Sequence, residues 1–387
     1  MKIVYLDNNA TTPLHPEVLE EMLPFLKEDF GNPSSLHQFG RKVKVKIDEA
    51  REKVAGIIGA DPSEIVFTGG GSEADNLAIK GVAFASKEKG RHIITSQIEH
   101  HAVLNTCKYL ERNGYRITYI PVDKYGMVKP EDVAEAISDD TILITIHHSN
   151  NEIGTIQPIK EISKIAEERG IIFHTDAVQS LGKLPLNVDD MGVTLLSVSA
   201  HKLNGPKGVG ACYIRKGIRR LHPLINGGNQ EMKRRAGTEN VAGIIGFSKA
   251  CEIASACMEE ERERLISLRD KLQNGLTEKI SHVRLNGHPT ERLPTTLNMS
   301  FEYVEGETLM INLDLEGIAV STGSACSSGS LEPSHVLVAM GIPYEVIHGS
   351  LRFSLGRENT EEDIERVLEV LPPIVEKVRK MSPLWEE

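Results

Sequence analysis

The sequence predicts an α/β fold, with a large domain on a mainly parallel sheet followed by a smaller α+β domain. Two observations carry this. Between residues 65 and 198, short β-branched runs alternate with helix-periodic stretches, the pattern of βαβ units. After Gly243 a long helical stretch begins, rich in Glu and Arg from Glu259 to Arg269, and beyond it the pattern turns mixed. A chain of 387 residues has room for one large and one smaller unit. We place the large domain at 16–255, the smaller at 256–387, and residues 1–15 as an N-terminal arm that packs against the smaller one.

The arm holds a short strand, Ile3 to Leu6, then Asn8-Asn9 and Pro13. Helical patterns follow at Pro16 to Leu26 and Gln38 to Ile58, separated by the turn-rich Gly31-Asn32-Pro33-Ser34-Ser35. Strand-like runs then lie at Ile65 to Thr68, Ile93 to Thr95, Ile117 to Pro121, Ile142 to Ile146, Ile171 to Phe173 and Leu195 to Val198. Between them come helix-like stretches at Ser72 to Ala85, Ala102 to Arg112, Pro130 to Ile137 and Ile159 to Arg169. The smaller domain reads as strands near Val283 to Leu285, Leu297 to Phe301 and Leu351 to Phe353. Its helices lie near Gly306 to Leu315 and Thr360 to Lys380.

Composition narrows the function. The formal net charge of -11 argues against a general nucleic-acid or anionic-membrane binder. No apolar run reaches membrane-spanning length, and the N-terminus lacks a signal peptide's apolar region, so a cytoplasmic protein is expected. Five cysteines without a CxxC pair give neither a disulfide framework nor a four-cysteine zinc site. Cys107, Cys251 and Cys257 in helix-like stretches and Cys212 in a strand-like one read as small buried hydrophobes. Cys326 stands apart, in the Ser- and Gly-rich run Ser321 to Ser330.

Several motifs carry chemistry, and each has a plainer structural reading beside it. Lys202, in Ser199-Ala200-His201-Lys202, sits where an apolar strand meets a glycine-rich loop. Partial desolvation there makes a free amine available for a Schiff base, whereas most loop lysines are merely solvated. Thr68-Gly69-Gly70-Gly71-Ser72 follows a strand and opens a helix, which suits an anion or a simple tight turn. Asp176, after Ile171-Ile172-Phe173, falls near a strand's C-terminal end, where parallel sheets place ligands. Such a carboxylate needs a cationic partner such as a protonated pyridine, or else serves as a helix cap. His100, in Glu99-His100-His101, can stack on a flat ring and exchange protons near neutral pH. A metal is the weaker alternative, because no carboxylate and histidine set has ligand spacing, and no metal site is expected. Asn151 offers an amide to a ring substituent or carboxylate, or is turn chemistry. Arg352, in an apolar strand, clamps a carboxylate or makes an internal salt bridge. Cys326 is a nucleophile only if a base or cation activates it.

Taken as a set, these motifs describe pyridoxal 5'-phosphate (PLP) chemistry on an amino acid. From Tyr5-Leu6-Asp7-Asn8-Asn9-Ala10-Thr11-Thr12 to Leu351-Arg352-Phe353-Ser354-Leu355-Gly356-Arg357 the chain resembles the cysteine desulfurases of the NifS/IscS type. These are class V aminotransferase-family members of the aspartate-aminotransferase-like fold type I. The specific segments are Ser199-Ala200-His201-Lys202, His174-Thr175-Asp176-Ala177-Val178-Gln179 and Gly323-Ser324-Ala325-Cys326-Ser327-Ser328-Gly329. The resemblance implies a mainly parallel seven-stranded sheet in the large domain. It implies that Lys202 holds the PLP aldehyde and moves the substrate α-proton, Asp176 pairs with the pyridine nitrogen and Gln179 bonds the phenolate oxygen. His100 would stack on the ring and take part in proton transfers, and Gly71, Ser72, Ser199 and His201 would bind phosphate. Thr238 would reach the phosphate of a neighbouring subunit, which implies a homodimer. Asn151, placed among the cofactor contacts, and Arg352 would orient the carboxylate of L-cysteine. Cys326 would take the sulfur as a persulfide, leaving L-alanine. The sulfur would pass to an iron–sulfur scaffold protein, including one whose cluster is ligated with help from Cys326, or to another acceptor. The chain departs from the common family pattern at Gly71-Ser72, often Ala-Thr, and at Arg235-Ala236-Gly237-Thr238, often Arg-Ser-Gly-Thr. The alternatives are a selenocysteine lyase, another PLP enzyme of this fold such as an aminotransferase, and a non-catalytic scaffold in sulfur transfer.

Overall fold

The computed structural model describes residues 3–218, 221–322, 333–383 and 385. The arm carries β1 (Val4–Tyr5) and leads into α1 (Pro16–Lys27) and α2 (Gln38–Gly56). The large unit continues through β2 (Ile65–Thr68), α3 (Gly71–Ala85), β3 (His92–Ser96), α4 (His101–Arg112) and β4 (Arg116–Ile120). Next come α5 (Pro130–Ala136), β5 (Thr141–Thr145), α6 (Ile159–Glu168), β6 (Ile172–Asp176), α7 (Val188–Met191), β7 (Leu195–Ser199) and β8 (Gly210–Ile214). Among the described residues these strands form one seven-stranded sheet in the order β2-β8-β7-β6-β5-β3-β4. Every pairing is parallel except those of β8, which runs antiparallel to β2 and β7. Helices cover both faces, so β5 and β7 are buried along their whole length, the state that continuous β-branched and Leu runs favour.

α8 (Val241–Lys279) joins the two cores as one unbroken helix of 39 residues, roughly 58 Å long. Its N-terminal half packs Ile244, Ile245, Phe247 and Ala250 into the large core. Leu265, Leu268, Leu272 and Leu276 enter the second core. The N-terminal half is apolar enough in composition to cross a membrane, against the expectation that no such run exists; here burial in the core accounts for that composition. The smaller unit then adds β9 (Val283–Asn286), β10 (Thr296–Phe301), α9 (Gly306–Leu315), β11 (Ile318–Ala319), α10 (His335–Ala339), α11 (Tyr344–Ile347), β12 (Ser350–Ser354) and α12 (Glu361–Arg379). Its antiparallel sheet has the order β12-β10-β9.

The arm belongs to the second core by packing. β1 pairs with β11, and Val4 and Leu6 are buried among the smaller unit's side chains. The chain then turns toward the large unit, where Thr12 Oγ1 donates to the His201 carbonyl at 3.0 Å. Between these anchors, Asn9 Nδ2 donates to Thr296 Oγ1 at 2.9 Å and to the Asn151 carbonyl at 3.1 Å, so one side chain ties both units together. Cys107, Cys212 and Cys251 are buried as expected. Cys257 differs: it is only half-buried, and its sulfur lies 2.8 Å from Arg357 Nη2.

Candidate active site

The C-terminal ends of β5, β6 and β7, the N-terminus of α3, the arm and β12 enclose a cavity of about 360 Å³. It sits where a parallel sheet exposes its strand ends, the usual ligand edge of this architecture.

Asp176 is the last residue of β6 and is 8 % exposed. Its carboxylate accepts the Val178 N–H at 2.8 Å, so it caps the following turn while lining the cavity. Burial pushes its pKa up to about 6. Asp75 reaches the same place from α3, and ligating atoms of Asp75, His100 and Asp176 lie within 4.8 Å of one another. Burial, then the nearby Asp176, pushes the Asp75 carboxyl well above the usual carboxylate range.

The first turn of α3 forms a second wall. Its N-cap, Gly70, has φ +146° and contributes no side-chain cap, so the first helical N–H groups remain available to an anion. A Cβ at Gly71 would lie 2.7 Å from Val178 Cγ2, so a side chain there would require Val178 to shift. Ser72, Ser199 and His201 line the same wall. Burial, then the Lys202 charge, pulls the His201 pKa to about 4, leaving a neutral imidazole.

Lys202 lies in a single 3-10 turn, Ala200–Lys202, immediately after β7. The turn is closed by the Gly205 N–H donating to the Ala200 carbonyl at 3.0 Å. A Cβ at Gly205 would press to 2.8 Å from that carbonyl oxygen. Lys202 Nζ donates to the carbonyls of Asn9 and Ala10, so the arm holds the amine at the cavity. Gln179 is fixed from both sides, with Nε2 donating to the Asn9 carbonyl at 3.0 Å and Oε1 accepting from Lys183 Nζ at 3.1 Å.

His100 is the N-cap of α4, and its Nδ1 accepts the Ala102 N–H at 3.1 Å. The expectation that it titrates near neutral pH is corrected here. Burial, then the Lys202 charge, pulls its pKa to about 4, so the ring is neutral with its hydrogen on Nε2. Arg352, in the middle of β12, is 2 % exposed. Nη2 meets Asp7 Oδ1 at 2.7 Å, Nη1 donates to the Asn151 carbonyl at 3.1 Å, and Nε has no hydrogen-bond partner. The internal salt bridge therefore exists, and the same guanidinium also lines the cavity beside Asn151.

The structure brings the sequence-predicted residues to this one cavity with two exceptions. Thr238 is exposed and lies away from the cavity of its own chain. Cys326 lies outside the described residues; the described chain before it pairs Ser321 with the Arg352 backbone, and after it Ser334 Oγ bonds Glu152 at 2.6 Å. Sequence reasoning missed Asn9, Ala10, Asp75, Ser149, Val178 and His147, all of which line the cavity. For Asp75 a signal existed in Gly71-Ser72-Glu73-Ala74-Asp75, because a carboxylate one turn into an apolar helix faces a buried sheet. The arm's two carbonyls left none.

PLP needs three things from a site: an amine for its aldehyde, a carboxylate for its pyridine nitrogen, and donors for its phosphate. Lys202, Asp176 and the α3 N-terminus supply them in one cavity. Buried polar atoms without hydrogen-bond partners, Asp75 Oδ1, His147 Nε2 and Arg352 Nε, belong to residues on its wall, as a site built around a polar guest requires. The residues fit the group.

A sheet with these strand-end groups defines a class of enzyme, the class V aminotransferases, and residues 4–367 match the model of that family, "Aminotransferase class-V". The relatives sharpen this. The chain is 60 % identical over 383 residues to "Cysteine desulfurase IscS" of Methanosarcina thermophila, covering 99 % of this chain and 94 % of the relative. Among solved structures, a "NIFS-LIKE PROTEIN" superposes with a TM-score of 0.92 at 41 % identity, covering 97 % of this chain and 100 % of the other. "SspA in complex with cysteine" superposes with a TM-score of 0.81 at 42 % identity, covering 91 % and 98 %. The chain belongs to the class V aminotransferase family and, within it, to the cysteine desulfurases of the NifS/IscS type.

Proposed function

We propose that this chain binds PLP in the cavity and releases sulfur from L-cysteine as a persulfide on Cys326, leaving L-alanine. The observation that carries the reading is the convergence of Lys202, Asp176 and the α3 N-terminus on one cavity. Bound there, PLP supplies an electron sink that lets the substrate α-C–H bond ionise. Lys202 Nζ holds the aldehyde and carries the α-proton. Asp176 receives the pyridine N–H, Gln179 donates to the phenolate oxygen, and Gly71, Ser72, Ser199 and His201 hold the phosphate. His100 would stack on the ring and take part in the proton transfers, its Nε2–H offering a hydrogen bond. Asn151 and Arg352 orient the substrate carboxylate.

Cys326 thiolate attacks the substrate sulfur. The carbon–sulfur bond breaks, the β-carbon gains a proton, and the sulfur stays on Cys326 at the sulfane level, so no outside oxidant or reductant enters. An acceptor then takes it, and an iron–sulfur scaffold protein is the proposed one, its cluster held in part by Cys326. Two copies form the working unit, with Thr238 reaching the partner's phosphate site. Support for the pairing comes from large apolar side chains left exposed around α1 and α2: Phe30 at 77 %, Leu36 at 88 % and Phe39 at 59 %. The cytoplasm suits this chemistry, since a reducing compartment keeps a relay thiol available.

The purified chain supplied with PLP is expected to absorb in the visible and to convert L-cysteine to alanine, with sulfide appearing when a reductant is added. A chain that stays colourless after reconstitution sinks the proposal. Arg352→Lys is expected to raise KM for L-cysteine about tenfold while kcat changes less, because lysine cannot hold Asp7, the Asn151 carbonyl and a substrate carboxylate in one plane. Steady-state kinetics check this.

A further inference from the structure

Three neighbouring strands end on groups that can carry charge. β3, β5 and β6 are adjacent in the sheet. Glu99 lies three residues past β3, His147 two past β5, and β6 ends on Asp176. The parallel register Thr145↔His174, carried on by two residues, sets His147 beside Asp176 on the same face. Glu99 is wholly buried, and both of its carboxylate oxygens accept the His147 backbone N–H at 3.0 Å. Ser96 Oγ donates to Oε1, and the His147 ring closes on the same oxygen with Nδ1 at 3.3 Å. His147 Nε2 is then left buried at the cavity wall without a hydrogen-bond partner.

We propose that Glu99 and His147 are positioning residues for Asp176. His147 stands as an imidazolium between two carboxylates, shields Asp176 from Glu99, and keeps Asp176 the anion that receives the pyridine N–H. This rests on the reading that the cavity holds PLP.

The electrostatics agree with the geometry. Burial pulls the His147 pKa down, but Glu99 beside it outweighs burial and raises it. Burial pushes Glu99 up, but His147 and the hydrogen bonds hold its carboxyl below the usual range. For Asp176, burial raises the pKa, the Val178 N–H bond lowers it, Glu99 raises it, and His147 and Lys202 lower it. The other groups facing Asp176 are Asp75 from α3, whose carboxyl is held well above the usual range, and His100 from the start of α4, whose pKa is pulled to about 4. His335 from α10 and His148 also face His147, and both are held below the ordinary histidine range by burial.

The test is the titration of Asp176 in the full-length chain freed of PLP, read by carbon NMR on labelled aspartate and assigned with Asp176→Asn. PLP affinity is measured against pH in parallel. His147→Gln removes the shielding charge and leaves Glu99. The Asp176 midpoint is expected to rise by about one unit. PLP affinity should then fall about tenfold near pH 5 and about twofold near pH 7, and match the parent's by about pH 8 as Asp176 ionises. Adding Glu99→Gln removes the opposing charge as well. The double variant is expected to return the midpoint to the parent value or below it, and to regain affinity. A purely structural role predicts the opposite order, with the double variant the worse of the two. An unmoved midpoint in His147→Gln, or a double variant whose midpoint stays above the parent's, overturns the proposal. If His147→Gln does not fold, the double variant against the parent decides it alone. A parent chain that takes no PLP defeats the proposed function, while the Asp176 titration still judges this inference.

Discussion

Replacing Lys202 with alanine is expected to abolish alanine formation from L-cysteine, by a factor on the order of 10⁴ or more. Two roles are lost together. The amine that would hold the PLP aldehyde is gone, and so is the group that would carry the α-proton. The fold should survive, because Nζ contacts the carbonyls of Asn9 and Ala10, while the arm keeps its strand pairing with β11 and its buried Val4 and Leu6. The variant should still take up PLP through the α3 N-terminus and Asp176, but without a borohydride-stable link to the chain. Mass spectrometry after reduction, beside an alanine assay, checks both halves. A reduced adduct on the variant would show that Lys202 is not the residue that holds the aldehyde.

The second large effect separates sulfur transfer from cofactor chemistry. Cys326→Ala is expected to lower desulfuration by three or more orders of magnitude while leaving the visible absorption of the PLP-loaded chain unchanged. The reason is a division of labour. The groups that fit the cofactor lie on the strand ends of the large unit, whereas Cys326 falls in the sequence between Ser321 and Ser334. A persulfide on Cys326, detected after one turnover without reductant, is the positive counterpart. Native desulfuration by the alanine variant would remove Cys326 from the reaction.

Much of the fold was legible. Alternating β-branched runs and helices announced the parallel sheet because its central strands, such as β5 and β7, are buried on both faces. That reading also placed Asp176 and Lys202 correctly, since both stand at strand ends and a parallel sheet opens its ligand edge there. Short elements were harder. β1 and β11 are two residues each, below the length at which periodicity speaks, and they form because the arm's Val4 and Leu6 gain a core to enter. Within the site, the groups that were missed act through partners distant in sequence.

The sequence by itself therefore determined the α/β architecture, the lysine and the aspartate of the site, and the glycines of the α3 turn, because these depend on neighbours within one βα unit. Only the tertiary structure decided that Arg352 pairs with Asp7, 345 positions away, and that the arm's carbonyls receive Lys202. It alone decided that His100 is neutral and that His147 is drawn toward its charged form. The physical reason is common to all of these. Hydrogen-bond partners and protonation states are set by burial and by charges within a few ångströms, and spacing along the chain says little about which distant segments will supply them.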